Sequence, residues 1–79
     1  MEEEFLKATV SVREKKLDNN DLLTIYGLYK QATMGDNNTT RPGMFDPKGS
    51  AKWDAWESKR GMSVDEAMKT YVEFVQNYK

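Results

Sequence analysis

Residues 63–78 read SVDEAMKTYVEFVQNY, and they give the clearest structural signal in the chain. Ser63 and Glu66 stand three residues apart just before an apolar run, which is the capping-box pattern of a helix start. Behind this pattern, apolar side chains recur at alternating spacings of four and three residues, as one face of an α-helix requires. These side chains are Val64, Met68, Tyr71, Val75 and Tyr78. The segment therefore predicts a helix with one buried face.

Two further helices are predicted nearer the start of the chain. Helix one is predicted to run from about Glu3 to Lys15. The glutamates at the start of the chain suit the positive N-terminal end of a helix. Its apolar face comprises Phe5, Ala8, Thr9 and Val12. Helix two runs from Leu22 to Met34, and Gly35 follows as its stop. Side chains suited to its N-cap precede it at Asn19, Asn20 and Asp21.

A long irregular segment separates helix two from a third helix. Residues 35–49 hold three of the five glycines and both prolines, so neither helix can continue through them. Helix three is predicted to start at Gly49 or Ser50 and to end at Lys59. The chain is therefore predicted to be all-α, with four helices.

The connections predict how the four helices are arranged. Short connections join helices one and two, and helices three and four, so each of these pairs should pack antiparallel. The middle loop of roughly fourteen residues can extend about 45 Å, whereas a helix of about 13 residues is only about 20 Å long. Helices two and three can therefore run parallel. Met44 and Phe45 offer this loop apolar anchors, so we expect it to be ordered.

Length and hydropathy favour one small globular domain. The chain has 79 residues, which suits a single domain spanning residues 1–79. It is 38% hydrophobic and 32% charged, and it lacks a run of the roughly 20 apolar residues that a spanning helix needs. The acidic start, MEEEF, does not fit an export signal. We therefore expect a soluble, cytoplasmic protein.

The residue types that are missing limit the chemistry. Cysteine and histidine are both absent, which removes thiolate nucleophiles, the usual zinc ligands and the commonest general base. We therefore expect no enzyme activity, no metal site and no cofactor. The net charge is −1 and the charged residues are scattered along the chain, so no overall electrostatic field attracts nucleic acid. An anionic ligand would have to be held by a local cluster of cations.

One such cluster is suggested by helical spacing. Tyr26 and Lys30 lie one turn apart, and Lys52 lies one turn before Trp56. Tyr26, Lys30 and Lys52 lie at the border between an apolar stripe and a polar face. Tyr29 and Tyr71 lie at such a border too. One interpretation is that the tyrosines are half-buried core residues and the lysines are solvated. The other is that aromatic faces stack on a base while ammonium and phenol groups bind phosphate oxygens.

Four motifs resemble the acyl-CoA-binding protein family in order and spacing. They read YGLYKQATMGD at residues 26–36, NTTRPG at 38–43, KWDAW at 52–56 and EAMKTY at 66–71. The resemblance covers nearly the whole chain. It implies a four-helix bundle of up-down-down-up topology and a bowl-shaped site for long-chain acyl-CoA, which is carried and buffered without turnover. The chain departs from the family pattern at Thr9 and in its short connector after Lys15, which puts chain-length preference in question.

The resemblance also implies a role for individual residues. Tyr26, Lys30 and Lys52 would hold the ribose 3′-phosphate, and Tyr29 would help to hold the adenine. The residues implied near the phosphates or completing the site are Arg13, Lys48 and Tyr71. Those implied along the acyl groove are Leu22, Leu23 and Ala51. We expect a monomer with long-chain acyl-CoA as its partner, with transient contacts to membranes or acyl-CoA-using enzymes.

Three other functions are alternatives to acyl-CoA carriage. An acyl carrier protein needs a serine in an Asp-Ser-Leu context, which this chain lacks. A helical interaction module would use the same lysine and tyrosine face to bind a partner helix or an acidic peptide. A thioester hydrolase is disfavoured because no histidine, cysteine or paired carboxylates are expected at the site. Binding of palmitoyl-CoA compared with free palmitate would separate a carrier from an interaction module.

Overall fold

The computed structural model describes residues 1–78, and Lys79 lies outside the described part. Its elements are α1 (Glu2–Ser11), a 3₁₀ turn (Val12–Glu14), α2 (Asn19–Met34), α3 (Pro47–Glu57) and α4 (Val64–Asn77). Residues 1–78 contain no strand. The predicted all-α class with four helices is therefore confirmed.

The two helices that flank the long loop run parallel, as the loop length predicted. Tyr26 of α2 lies against Lys52 of α3, and one turn further along both helices Lys30 lies against Trp56. Residue numbers therefore rise together along the α2–α3 interface. The loop crosses the length of the bundle to make this possible.

The first and last helices also run parallel to each other. The Phe5 ring of α1 packs edge-on against the Tyr71 ring of α4, with centroids 5.0 Å apart. Beyond the end of α1, the Lys16 carbonyl accepts a 2.9 Å hydrogen bond from the Tyr78 hydroxyl at the end of α4. The four directions give the up-down-down-up bundle that the family resemblance implied.

One packing prediction was wrong in part. The extensive contacts join α2 to α4, α2 to α3 and α1 to α4, whereas the pairs joined by short connections, α1 with α2 and α3 with α4, are antiparallel as predicted but share little surface. The α2–α4 pair is antiparallel, because Gln31 near the end of α2 donates a 2.7 Å hydrogen bond to the Met62 carbonyl just before α4. Short connections fix where helix ends lie, but the apolar faces decide which helices share the largest surface.

The main hydrophobic core lies between α1, α2 and α4. Its buried members are Phe5, Ala8, Ile25, Leu28, Ala32, Ala67, Tyr71, Val72 and Val75. Helix α3 contributes none of them and is attached along the opposite side of α2. This arrangement leaves an open groove between α2 and α3, outside the core.

Helix caps explain why two helices begin earlier than predicted. The Asp18 carboxylate accepts a 2.8 Å hydrogen bond from the Asp21 amide, so α2 starts at Asn19. The Asp46 carboxylate accepts a 3.0 Å bond from the Gly49 amide, so α3 starts at Pro47. Proline is favoured in the first turn because the missing N–H has no helical partner there. The predicted Ser63 cap of α4 is present.

The predicted anchors of the long loop were wrong. The Met44 and Phe45 side chains are 84% and 95% exposed. The loop is held instead by α3, whose Trp53 and Trp56 indoles donate to the carbonyls of Thr39 and Gly35 at 3.1 and 2.8 Å. Buried indole N–H groups need acceptors, and the loop backbone supplies them. Polar contacts, rather than apolar anchors, therefore order this segment.

Candidate functional site

A groove of about 560 Å³ lies between the N-terminal halves of α2 and α3. Its surface is mostly apolar. Six of the residues implicated from sequence line it: Leu22, Leu23, Tyr26, Lys48, Ala51 and Lys52. An apolar cleft with a few polar groups at its edge is the usual form of a small-molecule site. The groove can therefore take an elongated apolar group beside a polar one.

Beside this groove, α2 and α3 exchange two cation–aromatic contacts. The Lys52 ammonium nitrogen lies 4.9 Å from the centroid of the Tyr26 ring. In the reverse sense, the Lys30 ammonium nitrogen lies 4.7 Å from the Trp56 ring centroid. Each lysine thus lies over a ring from the other helix, which the parallel direction of the two helices permits. We call these four residues the crossed pairs.

The two lysines of the crossed pairs keep their charge available. Among residues 1–78, the carboxylates that form salt bridges do so with Lys7, Arg41 and Arg60, and none does so with Lys30 or Lys52. The close neighbour of Lys30 is the Met34 sulfur, at 2.9 Å. Two ammonium groups without carboxylate partners favour an anion such as a phosphate.

A glycine allows the two helices to come this close. A Cβ atom at Gly27 would overlap the carbonyl group of Ala55 in α3. Gly27 is buried and lies directly after Tyr26. Its missing side chain therefore sets the α2–α3 spacing at which the crossed pairs form.

A second group of aromatic residues lies on the core side of α2. The Tyr29 ring stacks on Phe5 with centroids 6.0 Å apart, and it lies 6.5 Å from Tyr71. Tyr29 is 43% exposed, whereas Tyr71 is only 2% exposed. A half-exposed ring on a buried aromatic base presents a flat face on which a planar group can stack.

The charge of Arg13 acts on this aromatic group. Burial raises the pKa of the Tyr71 phenol and the neighbouring Tyr29 phenol raises it further, whereas the Arg13 guanidinium lowers it. Tyr71 is therefore a neutral hydrogen-bond donor at physiological pH. Arg13 itself is exposed. It can contribute a cation close to the Tyr71 phenol.

The residues implicated from sequence thus fall into two neighbouring groups. One comprises the groove residues together with Lys30. The other comprises Arg13, Tyr29 and Tyr71, which lie outside the groove. Tyr26, Tyr29 and Lys30 lie within about one turn of α2, so this helix connects the two groups.

Several residues of the site were missed from the sequence. Asn19 and Pro47 line the groove, but both fell outside helices that were predicted to start too late. Asn19 lies four residues before Leu23, and Pro47 lies four residues before Ala51. This helical spacing could have placed both on the groove face. Trp56 was noted only for its position one turn after Lys52. Gly27 carries no sequence signal of its contact with α3.

Residues 1–78 contain no group of three or more acidic side chains that could hold a metal ion. In the same residues, no helix is both long and apolar enough to cross a membrane. The geometry suits binding of an anionic group beside an apolar one.

Comparison with known proteins gives consistent results. The sequence profile of a family described as "Acyl CoA binding protein" matches residues 2–75. The chain is 51% identical over 69 residues to acyl-CoA-binding protein homolog 1 of Caenorhabditis elegans, covering 87% of this chain and 80% of that protein. It is 61% identical over 54 residues to the acyl-CoA-binding protein of Brassica napus, covering 68% of this chain and 59% of that protein.

A solved structure is also similar to this chain. The crystal structure of Oryza sativa acyl-CoA-binding protein 2 superimposes with a TM-score of 0.93 at 42% sequence identity. The match covers 98% of this chain and 86% of that one. At this identity the likeness extends beyond the general helical architecture to the sequence itself.

Proposed function

The chain belongs to the acyl-CoA-binding protein family, and from this premise we propose that it binds long-chain acyl-CoA thioesters and carries them without chemical change. The family and the fold support acyl-CoA binding. The roles of individual residues, and the use of the bound ligand, belong to the proposal. The crossed pairs are the single observation that carries it.

The crossed pairs suit the ribose 3′-phosphate of coenzyme A. Lys30 and Lys52 would donate charge-assisted hydrogen bonds to its oxygens, and the Tyr26 hydroxyl would add a neutral one. Trp56 and Tyr26 hold the two ammonium groups in place before the ligand arrives. A cation that is already positioned loses less conformational entropy on binding than a free lysine does.

The groove suits the acyl tail. Leu22, Leu23 and Ala51 would line the chain, with Lys48 at the N-terminal end of α3 facing the polar part of the ligand. Each methylene that leaves water contributes up to about 0.8 kcal/mol. Leu22 is 50% exposed in the unliganded groove, so its surface is available for such burial.

The remaining residues suit the nucleotide. Tyr29 presents the exposed ring on which adenine would stack, supported from below by Phe5. Arg13 and Tyr71 would add a cation and a neutral phenol near the phosphates. In this arrangement, the coenzyme A head covers the groove and shields the thioester from other reactants.

We propose a carrier and buffer in cytoplasmic lipid metabolism rather than an enzyme. The proposed site offers lysines and tyrosines, and the chain has neither histidine nor cysteine to act on a thioester. Such a site stabilises a bound thioester but supplies no nucleophile or general base near neutral pH. We treat residues 1–79 as one binding domain that acts as a monomer.

Titration calorimetry tests this function. Palmitoyl-CoA, kept below its micelle concentration, should bind far more tightly than palmitate or coenzyme A, because the affinity comes from both halves of the ligand. Equal affinity for palmitate and palmitoyl-CoA would indicate a generic lipid site. No binding of either ligand would favour a helical interaction module.

A further inference from the structure

The tip of the long loop presents two large apolar side chains to solvent. Phe45 is 95% exposed and Met44 is 84% exposed, which are the highest values among the exposed large hydrophobic residues of the described chain. Apolar surface that stays exposed to water is unfavourable in free energy, and folding leaves these two side chains exposed. A contiguous pair of this kind is therefore a candidate contact surface.

The tip is held in place rather than free. The Asp46 amide donates a 3.0 Å hydrogen bond to the Gly43 carbonyl, which closes a turn around Met44 and Phe45. The Asp46 carboxylate caps α3, so the turn is continuous with that helix. On the other flank, Arg41 forms two 3.0 Å hydrogen bonds with the Asp54 carboxylate. The two apolar side chains thus project from a fixed base.

The tip adjoins the mouth of the groove. Pro47 and Lys48 follow it directly in the chain, and both line the groove. The half-exposed Leu22 lines the same groove. An apolar surface therefore continues from the groove to the loop, with a lysine beside it.

We propose that the Met44–Phe45 tip inserts into the interface of a phospholipid bilayer and sets the mouth of the groove against the lipid surface. The inference of insertion depends only on the exposed tip, whereas the delivery of an acyl chain through the groove rests on the proposed function. Lys48 would keep its ammonium group at the level of the phosphates while its stem lies along the apolar layer.

The shape of the tip favours a bilayer over a protein partner. A stable protein interface buries about 800 Å² on each side, which two protruding side chains do not provide. A bilayer needs no matching pocket, because its interface accepts apolar side chains of any shape. The acidic Asp46 and basic Lys48 balance each other beside the tip, so insertion should depend on apolar contact rather than on lipid charge.

The absence of cysteine makes the proposal directly testable. Phe45→Cys and Val64→Cys each introduce one site for an environment-sensitive nitrobenzoxadiazole dye. Val64 is 41% exposed and starts α4, at the end of the bundle opposite the groove. With phosphatidylcholine vesicles, the dye at position 45 should shift its emission to the blue while the dye at 64 stays unchanged. No shift at 45, or equal shifts at both positions, would overturn the proposal.

A label-free measurement gives a second test. In vesicle flotation, the double variant M44S/F45S should partition at least about tenfold less than the wild type, because it loses two apolar side chains from the bilayer. Its calorimetric affinity for palmitoyl-CoA in solution should be unchanged. Equal partitioning of variant and wild type would contradict insertion of the tip. A wild type that binds vesicles but not palmitoyl-CoA would refute the proposed function and leave the insertion standing.

Discussion

The ammonium nitrogen of Lys52 lies 4.9 Å from the centroid of the Tyr26 ring, across the interface between two parallel helices. The relationship depends on topology, because only parallel helices in this register bring these two residues together. Lys30 and Trp56 repeat it one turn further along. Two ammonium groups that form no salt bridge with a carboxylate of residues 1–78 are thus positioned beside an apolar groove.

Removing either of these lysines should weaken binding of palmitoyl-CoA. We expect Lys30→Ala and Lys52→Ala each to cost about 1 to 3 kcal/mol, the range for a charge-assisted hydrogen bond. Titration calorimetry measures the loss. Lys69→Ala is the matched control, since Lys69 is exposed on α4 and lies outside the proposed site. An effect of the same size in the control would point to general electrostatics instead of a phosphate contact.

Gly27 should be required for both stability and binding. In Gly27→Ala, the added methyl group meets the Ala55 carbonyl and must push α3 away from α2. Overpacking of this kind costs about 1 to 3 kcal/mol of unfolding free energy, which urea denaturation can measure. The displaced α3 should also weaken palmitoyl-CoA binding. Gly43→Ala is the control, because open space surrounds Gly43. Equal unfolding midpoints for the two variants would refute the assigned role of Gly27.

The fold was largely predictable from local patterns. The capping box at Ser63 and the apolar stripe behind it gave α4, and the length of the middle loop gave the parallel pair. The contacts between helices were less predictable, because consecutive helices need not share their largest faces. Met44 and Phe45 were misjudged since hydrophobicity alone does not distinguish an anchor from an exposed tip.

The site was predictable only in part. Helical spacing placed Tyr26 beside Lys30, and the family resemblance added Lys52, but neither could show that each lysine lies over a ring of the other helix. That contact depends on the close approach of α2 and α3, which Gly27 permits. Asn19 and Pro47 were missed because the aspartate caps start both helices earlier than expected.

Acid should destabilise the protein partly through Asp36. The Gly61 amide, the Gln31 side chain and the Arg60 charge hold the Asp36 pKa below its ordinary value of 3.8. A carboxyl group with a lowered folded-state pKa adds stability above its unfolded-state pKa, and this contribution is lost as pH falls through the folded-state pKa. Urea denaturation of Asp36→Asn should therefore show a shallower loss of stability below pH 3.8 than the wild type. Parallel pH profiles would rule out this contribution.

Ligand binding should raise the melting temperature. A ligand that binds only the folded state at a thousandfold excess over its Kd adds about 4 kcal/mol, which for a domain of this size exceeds about 10 °C. Palmitoyl-CoA below its micelle concentration should produce this shift, and coenzyme A alone a much smaller one. Differential scanning fluorimetry measures both.

Two variants show whether the shift depends on the proposed adenine contact. Tyr29→Ala removes the exposed ring and should lose most of the ligand-induced shift, whatever its own melting temperature. Lys59→Ala should keep the shift, because Lys59 follows the end of α3 and its side chain is not among those that line the groove. A full shift in Tyr29→Ala would remove this residue from the site.

If Lys30 and Lys52 hold the ribose 3′-phosphate, a thermodynamic cycle should show that each lysine and the phosphate are energetically coupled. Calorimetry would compare palmitoyl-CoA with its 3′-dephospho derivative on the wild type, Lys30→Ala and Lys52→Ala. Loss of the phosphate should cost the wild type about 1 to 3 kcal/mol and should cost either variant much less, because the phosphate and the lysine are partners. If the losses from the mutation and from the missing phosphate are fully additive, the two groups do not interact and the assignment is wrong.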